Sequence, residues 1–198
     1  MNTPAHLIVA AAAFARAEKT PGDGARAVTT GALLGGFLPD FSLYFAFLWS
    51  TLVLGRSPGQ FFGEDYFSAP LQAVFAVDNS VFVWGALLAV ALWAKRPVLV
   101  AFAGAALLHI ALDFPLHHDD GRPHFWPLTD WVYASPVSYW DTNHHAGVFA
   151  PLEAALCGIL LVILWRRFAE WPARGAILLA GAAQAYTFVM WNQLAAGG

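Results

Sequence analysis

Apolar residues run along this chain in stretches too long and too unbroken for the one-sided face of a soluble helix. Ala27–Leu54, Leu71–Ala94, Val98–Phe114 and Val148–Phe168 stand out, and Gly175–Leu194 makes a fifth. A bilayer core about 30 Å thick is crossed by about 20 apolar residues in a helix, so the pattern predicts membrane-crossing helices. Pro4–Ala17 is shorter, reaching about 20 Å, and is expected to enter a bilayer without crossing it. Its first five residues carry no Lys or Arg and His6 interrupts it, which argues against a cleaved signal peptide. Pro39-Asp40 interrupts the first long stretch. Proline bars the preceding turn from regular helix, so a broken helix is expected there. The predicted architecture is an all-α integral membrane protein of five or six helices, one short and N-terminal, one broken at Pro39-Asp40. It forms a single domain over residues 1–198 with a His-rich outer loop.

Composition agrees. Hydrophobic residues are 59% of the chain and charged residues 12%, against about 45–50% and about 25% in ordinary soluble domains. Disorder and a charged soluble exterior are excluded. The net charge of −3 hides no basic run, so nucleic acid is not an expected partner; membrane lipids and other membrane proteins are. The lone Cys157 excludes a disulfide framework and a cysteine zinc knuckle. With no polar neighbour in sequence, it is not expected to be a nucleophile. Of the 10 Lys and Arg, Arg16, Lys19, Arg26, Lys95, Arg96, Arg166, Arg167 and Arg174 fall at one end of the predicted helices, and Arg56 and Arg122 at the other. The basic end is expected to be cytoplasmic, which puts residues 115–147 outside.

Ionisable residues at membrane depth are functional candidates by default. Asp40, Asp78, His109 and Asp113 are four such positions. His109 and Asp113, spaced i, i+4, share a helix face. They can ligate one metal, the carboxylate can orient the ring from behind, or the pair can tie helices together. Asp40 reads as a ligand on a broken helix, or as the N-cap of a helix restarting at Phe41. Asp78-Asn79-Ser80 reads equally as functional and as an interhelical polar contact. In the loop, His117, His118 and His124 precede Asp141-Thr-Asn-His144-His145. Such a mixture suits Zn²⁺, or Mn²⁺ and Fe²⁺ at a more oxygen-rich site. One member of each adjacent His pair is expected to turn inward and His124 to face solvent; Arg122 can bind a phosphate or pair with Asp119 or Asp120, and the ion pair is the expectation. Gly-x-Ser-x-Gly, Walker and His-Glu-x-x-His motifs are absent from the sequence.

Thr3-Pro4-Ala5-His6, the stretch from Gly31 through Leu38-Pro39-Asp40, His109-x-x-x-Asp113 and Phe125-Trp126-Pro127-Leu128 together resemble a bacterial family. These are the inner-membrane-associated metal-dependent hydrolases, sometimes called LexA-binding. The resemblance spans roughly residues 3–150 in motif order, and the His-x-x-x-Asp element is more distantly similar to the zinc-dependent phospholipase C fold. It implies a metal set of His6, Asp40, His109 and Asp113 in a bacterial inner membrane. Many members carry a His-Arg…Thr-His-Ser element where this chain has Val77-Asp78-Asn79-Ser80.

The expectation is a metal-dependent hydrolase of an ester, a phosphoester of lipid or envelope origin, at the outer leaflet. Zinc is the first choice of metal, with a loop residue among His118, Asp141 and His145 as general base. The alternative is a non-catalytic scaffold or accessory subunit whose His/Asp network holds helices together. Ion or proton conduction is disfavoured because the inner half lacks ionisable residues to continue a relay.

Overall fold

The computed structural model describes residues 1–196, with side chains through Met190. Residues 191–194 of the fifth apolar stretch lie outside the described side chains. Helix is the only regular secondary structure among the described residues, with no strand. Beyond single turns there are seven helices: α1 Thr3–Phe14, α2 Ala25–Leu48, α3 Ala69–Asp78, α4 Val81–Trp93, α5 Pro97–Asp113, α6 Ala146–Arg167 and α7 Trp171–Ala196. Three helical stretches are long and apolar enough to cross a membrane: Ala25–Val53, Ala69–Trp93 and Ala146–Arg167. Thr3–Phe14 and Pro97–Asp113 are shorter apolar helices; at 17 residues the latter is about 25 Å long.

The expected count of five or six helices and the expected break at Pro39-Asp40 are both corrected. Pro39 lies inside an uninterrupted α2. The proline removes one helix hydrogen bond, but packing on two sides holds the helix in register. A Cβ added to Gly31 would meet the Val98 carbonyl oxygen at 2.7 Å, and one on Gly35 would meet that of Phe102 at 1.9 Å. A Cβ on Gly36 would lie 2.7 Å from the Ala10 methyl. Small residues thus let α2 press backbone-close against α5 and α1.

The break falls instead at Asn79-Ser80, dividing one apolar stretch into α3 and α4. Ser80 caps α4, its Oγ accepting from the Phe82 and Val83 amides and donating to the Trp126 carbonyl at 2.5 Å. Asn79 Nδ2 donates to the Pro39 carbonyl at 3.3 Å. The Val81 amide bonds the His124 carbonyl, and His124 Nδ1 donates to the Asn79 carbonyl. His124 is therefore buried, not solvent-facing, because it closes this gap. Ser80→Ala should lower stability by about 1–2 kcal/mol through loss of the cap and the loop bond. Thermal unfolding in detergent measures it, and an unchanged midpoint would deny the cap its role.

Small residues line the helix contacts of α5, and many large apolar side chains face outward. α5 buries Ala101, Ala103, Ala105 and Ala106. Leu, Phe, Val and Ile side chains such as Phe45, Leu52, Val90, Ile159 and Leu179 face outward. Water penalises such a surface and a lipid phase does not.

Candidate metal centre

The close approach of three helices assembles the site. Gly36 presses α2 against α1 at Ala10 and the His6 carbonyl, which brings His6 onto the face of His109. The two imidazoles stack with centroids 3.5 Å apart and planes at 12°. One turn beyond Gly36, Asp40 Oδ1 lies 3.6 Å from His109 Nε2. Asp113 is the hub. Its Oδ1 lies 2.8 Å from His6 Nε2, 2.5 Å from the Met1 α-amino group and 3.4 Å from His117 Nε2, and its Oδ2 lies 3.3 Å from His109 Nε2.

His6, His109 and Asp113 are buried and offer ligand atoms within 4.8 Å of one another, a group able to hold a metal ion. Asp40 flanks it, its Oδ2 accepting from Thr3 Oγ1 at 2.5 Å, and Thr3 Oγ1 accepting in turn from the Tyr44 hydroxyl at 2.9 Å. Asp40 is mid-helix and does not cap a helix starting at Phe41.

His109 has a defined tautomer. Its Nδ1 contacts the Gly36 carbonyl at 2.9 Å, and a carbonyl only accepts, so Nδ1 carries hydrogen. In the neutral ring Nε2 is then a bare lone pair, buried and without a hydrogen bond, facing the oxygens of Asp40 and Asp113. A lone pair facing two carboxylates is repulsive unless a proton or a metal cation lies between them. Fixing the far nitrogen on a backbone carbonyl is also how proteins orient metal-ligating histidines. His6 Nδ1 is a second buried nitrogen without a partner. Two imidazoles and two carboxylates suit Zn²⁺, with Mn²⁺ or Fe²⁺ as oxygen-tolerant alternatives. Ring lone pairs lie in the ring plane, so the nearly parallel rings would have to splay for one cation to be shared by both.

The loop residues sort into two groups. His117, not His118, turns toward the centre, bridging Asp113 and Asp120 Oδ2 (2.9 Å from its Nδ1). Burial pulls its pKa down, but the Asp113 charge and bonds to Asp113 and Asp120 hold it up at about 9. Trp140 Nε1 donates to Asp120, and burial pushes the Tyr139 hydroxyl, beside His117, well above its usual pKa. His118, Asp141 and His144 form the other group. His118 stacks on His144 at 3.5 Å and contacts the Ser135 carbonyl, and His144 Nδ1 lies 2.6 Å from Asp141. The hydrogen bond from His144 holds the Asp141 pKa down. His145 is exposed, with φ of +66° where α6 begins. The three loop residues expected to act as base thus have their described contacts with one another's neighbours and the loop backbone.

The expected ion pair of Arg122 is also corrected. Its guanidinium lies over Phe75 at 4.0 Å and Tyr66 at 4.8 Å, while Asp120 is taken by His117. His117 continues the i, i+4 series from His109 and Asp113, and that spacing was the available signal for it. Glu153 was a second overlooked residue: buried on α6, it accepts from Asn2 Nδ2 and from Gln184 Nε2. A carboxylate within an apolar stretch was its signal. The chain matches no family model, no curated protein and no solved structure.

Proposed function

We propose that the protein is a membrane-embedded metal-dependent hydrolase acting on an ester, a phosphoester of lipid or envelope origin, at the outer leaflet. The observation that carries this reading is His109: anchored at Nδ1 to the Gly36 carbonyl, with a buried Nε2 that has no hydrogen-bond partner and faces two carboxylates. His6, Asp40, His109 and Asp113 would hold the metal, as the resemblance to inner-membrane-associated metal-dependent hydrolases implies. A divalent cation there supplies Lewis-acid polarisation of the ester and acidifies water. The chain does the rest. Gly36 fixes the His109 ring, Thr3 orients Asp40, and the apolar helices exclude bulk water around the buried donors. His117 is the loop imidazole within reach of the centre; held protonated between Asp113 and Asp120, it would act as a proton donor, in place of the general base that the sequence suggested among His118, Asp141 and His145. The test is turnover of p-nitrophenyl phosphate, bis-p-nitrophenyl phosphate and p-nitrophenyl butyrate by the metal-loaded protein. Chelator-sensitive hydrolysis of one of them, lost in His109→Ala, supports the reading, and no turnover of any of them counts against it.

A second reading, the non-catalytic scaffold, has its own support. The His6–His109 stack and the Met1, His6 and His117 contacts to Asp113 tie α1, α2, α5 and the loop into one polar knot.

In the membrane, the proposed orientation puts the basic turns at Lys95-Arg96 and Arg166–Arg174 in the cytoplasm and residues 115–147 outside. In a Cys157→Ser background, an impermeant thiol reagent added outside should modify Arg122→Cys and spare Lys95→Cys. The reverse pattern would place the centre on the cytoplasmic side.

A further inference from the structure

At the opposite end of α1 and α5 from the metal centre, the helix ends enclose a cavity of about 380 Å³. Phe14 of α1, Val28 of α2, Leu92 of α4 and Val100 of α5 supply apolar walls. Among the described residues its charged lining consists of Arg16 and Lys95, both exposed. A second cavity, of about 640 Å³, adjoins it at Arg16 and adds Lys19, Arg167 and Asp23. The carboxylates nearest in sequence are engaged elsewhere: Glu18 pairs with Arg26 at 2.8 Å, and Asp23 accepts from the Lys19 and Ala25 amides at 2.9 Å. Among the described residues neither Arg16 nor Lys95 has an ion-pair partner. Arg167 adds a third positive charge at the end of α1, donating to the Ala12 and Ala15 carbonyls at 2.8 and 3.0 Å. Lys95 reaches the cavity from a left-handed backbone, with φ of +51°. Its amide bonds the Leu92 carbonyl and the Arg96 amide that of Ala91, closing α4. Glycine fits such a turn without strain and is the usual residue there. A lysine keeps the turn and sets an ammonium on the cavity.

Two cations without counterions above apolar walls fit an anion that carries hydrocarbon. Arg16 and Lys95 follow the ends of α1 and α4, whereas Phe14, Leu92 and Val100 lie within helices. Charge therefore lies toward water and apolar surface toward the bilayer interior, the order of groups in a phospholipid. Leu92 is a cavity wall and is 57% exposed, so the cavity opens sideways onto the apolar exterior. Beside it Trp93 is 86% exposed, as befits a ring at headgroup depth. We propose that this cavity binds an anionic phospholipid of the adjoining leaflet, its phosphate between Arg16 and Lys95 and an acyl chain leaving past Leu92. Basic pockets between membrane helices bind such headgroups. The site is separate from the metal centre and stands whether or not the protein is a hydrolase.

The test is native mass spectrometry of the protein in non-ionic detergent with equimolar phosphatidylglycerol and phosphatidylcholine. One phosphatidylglycerol per chain should be retained over phosphatidylcholine by more than about tenfold. Arg16→Gln and Lys95→Gly should each weaken that retention about fivefold, and the double variant about 30-fold. Lys95→Gly also separates binding from folding: glycine suits the turn, so its unfolding midpoint should not fall while its lipid retention does. Arg166→Gln is the charge control, since Arg166 is exposed at the same end and lines neither cavity; it should retain lipid as wild type does. Equal retention of the two lipids, wild-type retention in the double variant, or an equal loss in Arg166→Gln overturns the site. Inorganic phosphate and glycerol 3-phosphate, added at millimolar concentration, should not displace the lipid. Displacement by either would assign the cavity to a soluble phosphate and overturn the lipid.

Discussion

Asp113→Asn should lower divalent-metal affinity by more than about 100-fold. Loss of a group that merely orients a ligand costs about 10–100-fold, and an amide replacing a ligating carboxylate costs more. The same substitution strikes the metal-free protein. Asp113 is the acceptor for Met1, His6 and His117, so neutralising it leaves buried donors uncompensated, at about 3–5 kcal/mol. The two effects separate experimentally. Asp40→Asn alters a partly exposed carboxylate at the edge of the knot, a proposed ligand, and should weaken metal binding with a smaller loss of metal-free stability. Titration with Zn²⁺ and thermal unfolding without metal, run on wild type and both variants, test the pair. Equal metal affinity in all three would remove both carboxylates from the ligand set. Instability without any metal effect is the signature of the scaffold.

Gly35→Ala should cost at least about 3 kcal/mol and prevent the native fold from accumulating. Ordinary overpacking costs about 1–3 kcal/mol because side chains give way. Here the added Cβ would sit 1.9 Å from a backbone oxygen and 2.7 Å from a backbone carbon of Phe102, and backbone cannot rotate aside. Separating α2 from α5 by even an ångström also draws Asp40 and the Gly36 carbonyl away from His109, so metal binding should fall with stability. Gly85→Ala is the control. Gly85 lies inside α4 with nothing within 4 Å of the added methyl, and alanine there should stabilise by up to about 1 kcal/mol. Unfolding midpoints in one detergent compare the two, and a Gly35→Ala protein as stable as wild type would contradict the close packing.

The apolar stretches made the helical class legible, because length and apolarity are properties of local sequence. Helix breaks were not. Proline at position 39 outweighed serine at position 80 in a local reading, yet α2 is held by Gly35 and Gly36 against two other helices. The α3–α4 break is stabilised by Trp126 and His124 from the distant loop. The same distinction governs the site. His109 and Asp113 were readable from an i, i+4 spacing and Asp40 from a carboxylate at membrane depth, whereas His6 was indicated through a family resemblance. That His117 and not His118 turns inward follows the i, i+4 spacing from Asp113, a local signal, while the Ser135 and Tyr139 bonds that strap the loop come from residues distant in sequence. Arg122 shows a similar reversal. Its neighbours Asp119 and Asp120 suggested an ion pair, but the aromatic faces of Tyr66 and Phe75 hold the guanidinium.

The most direct test of the account is elemental analysis of the protein purified under metal-replete conditions, followed by X-ray absorption at the edge of whatever metal is found. The account predicts a stoichiometric divalent metal with nitrogen and oxygen neighbours at about 2.0–2.2 Å, imidazole scattering beyond them and no sulfur shell. Metal absent from the replete protein, or a sulfur neighbour at about 2.3 Å implicating Cys157, would contradict it.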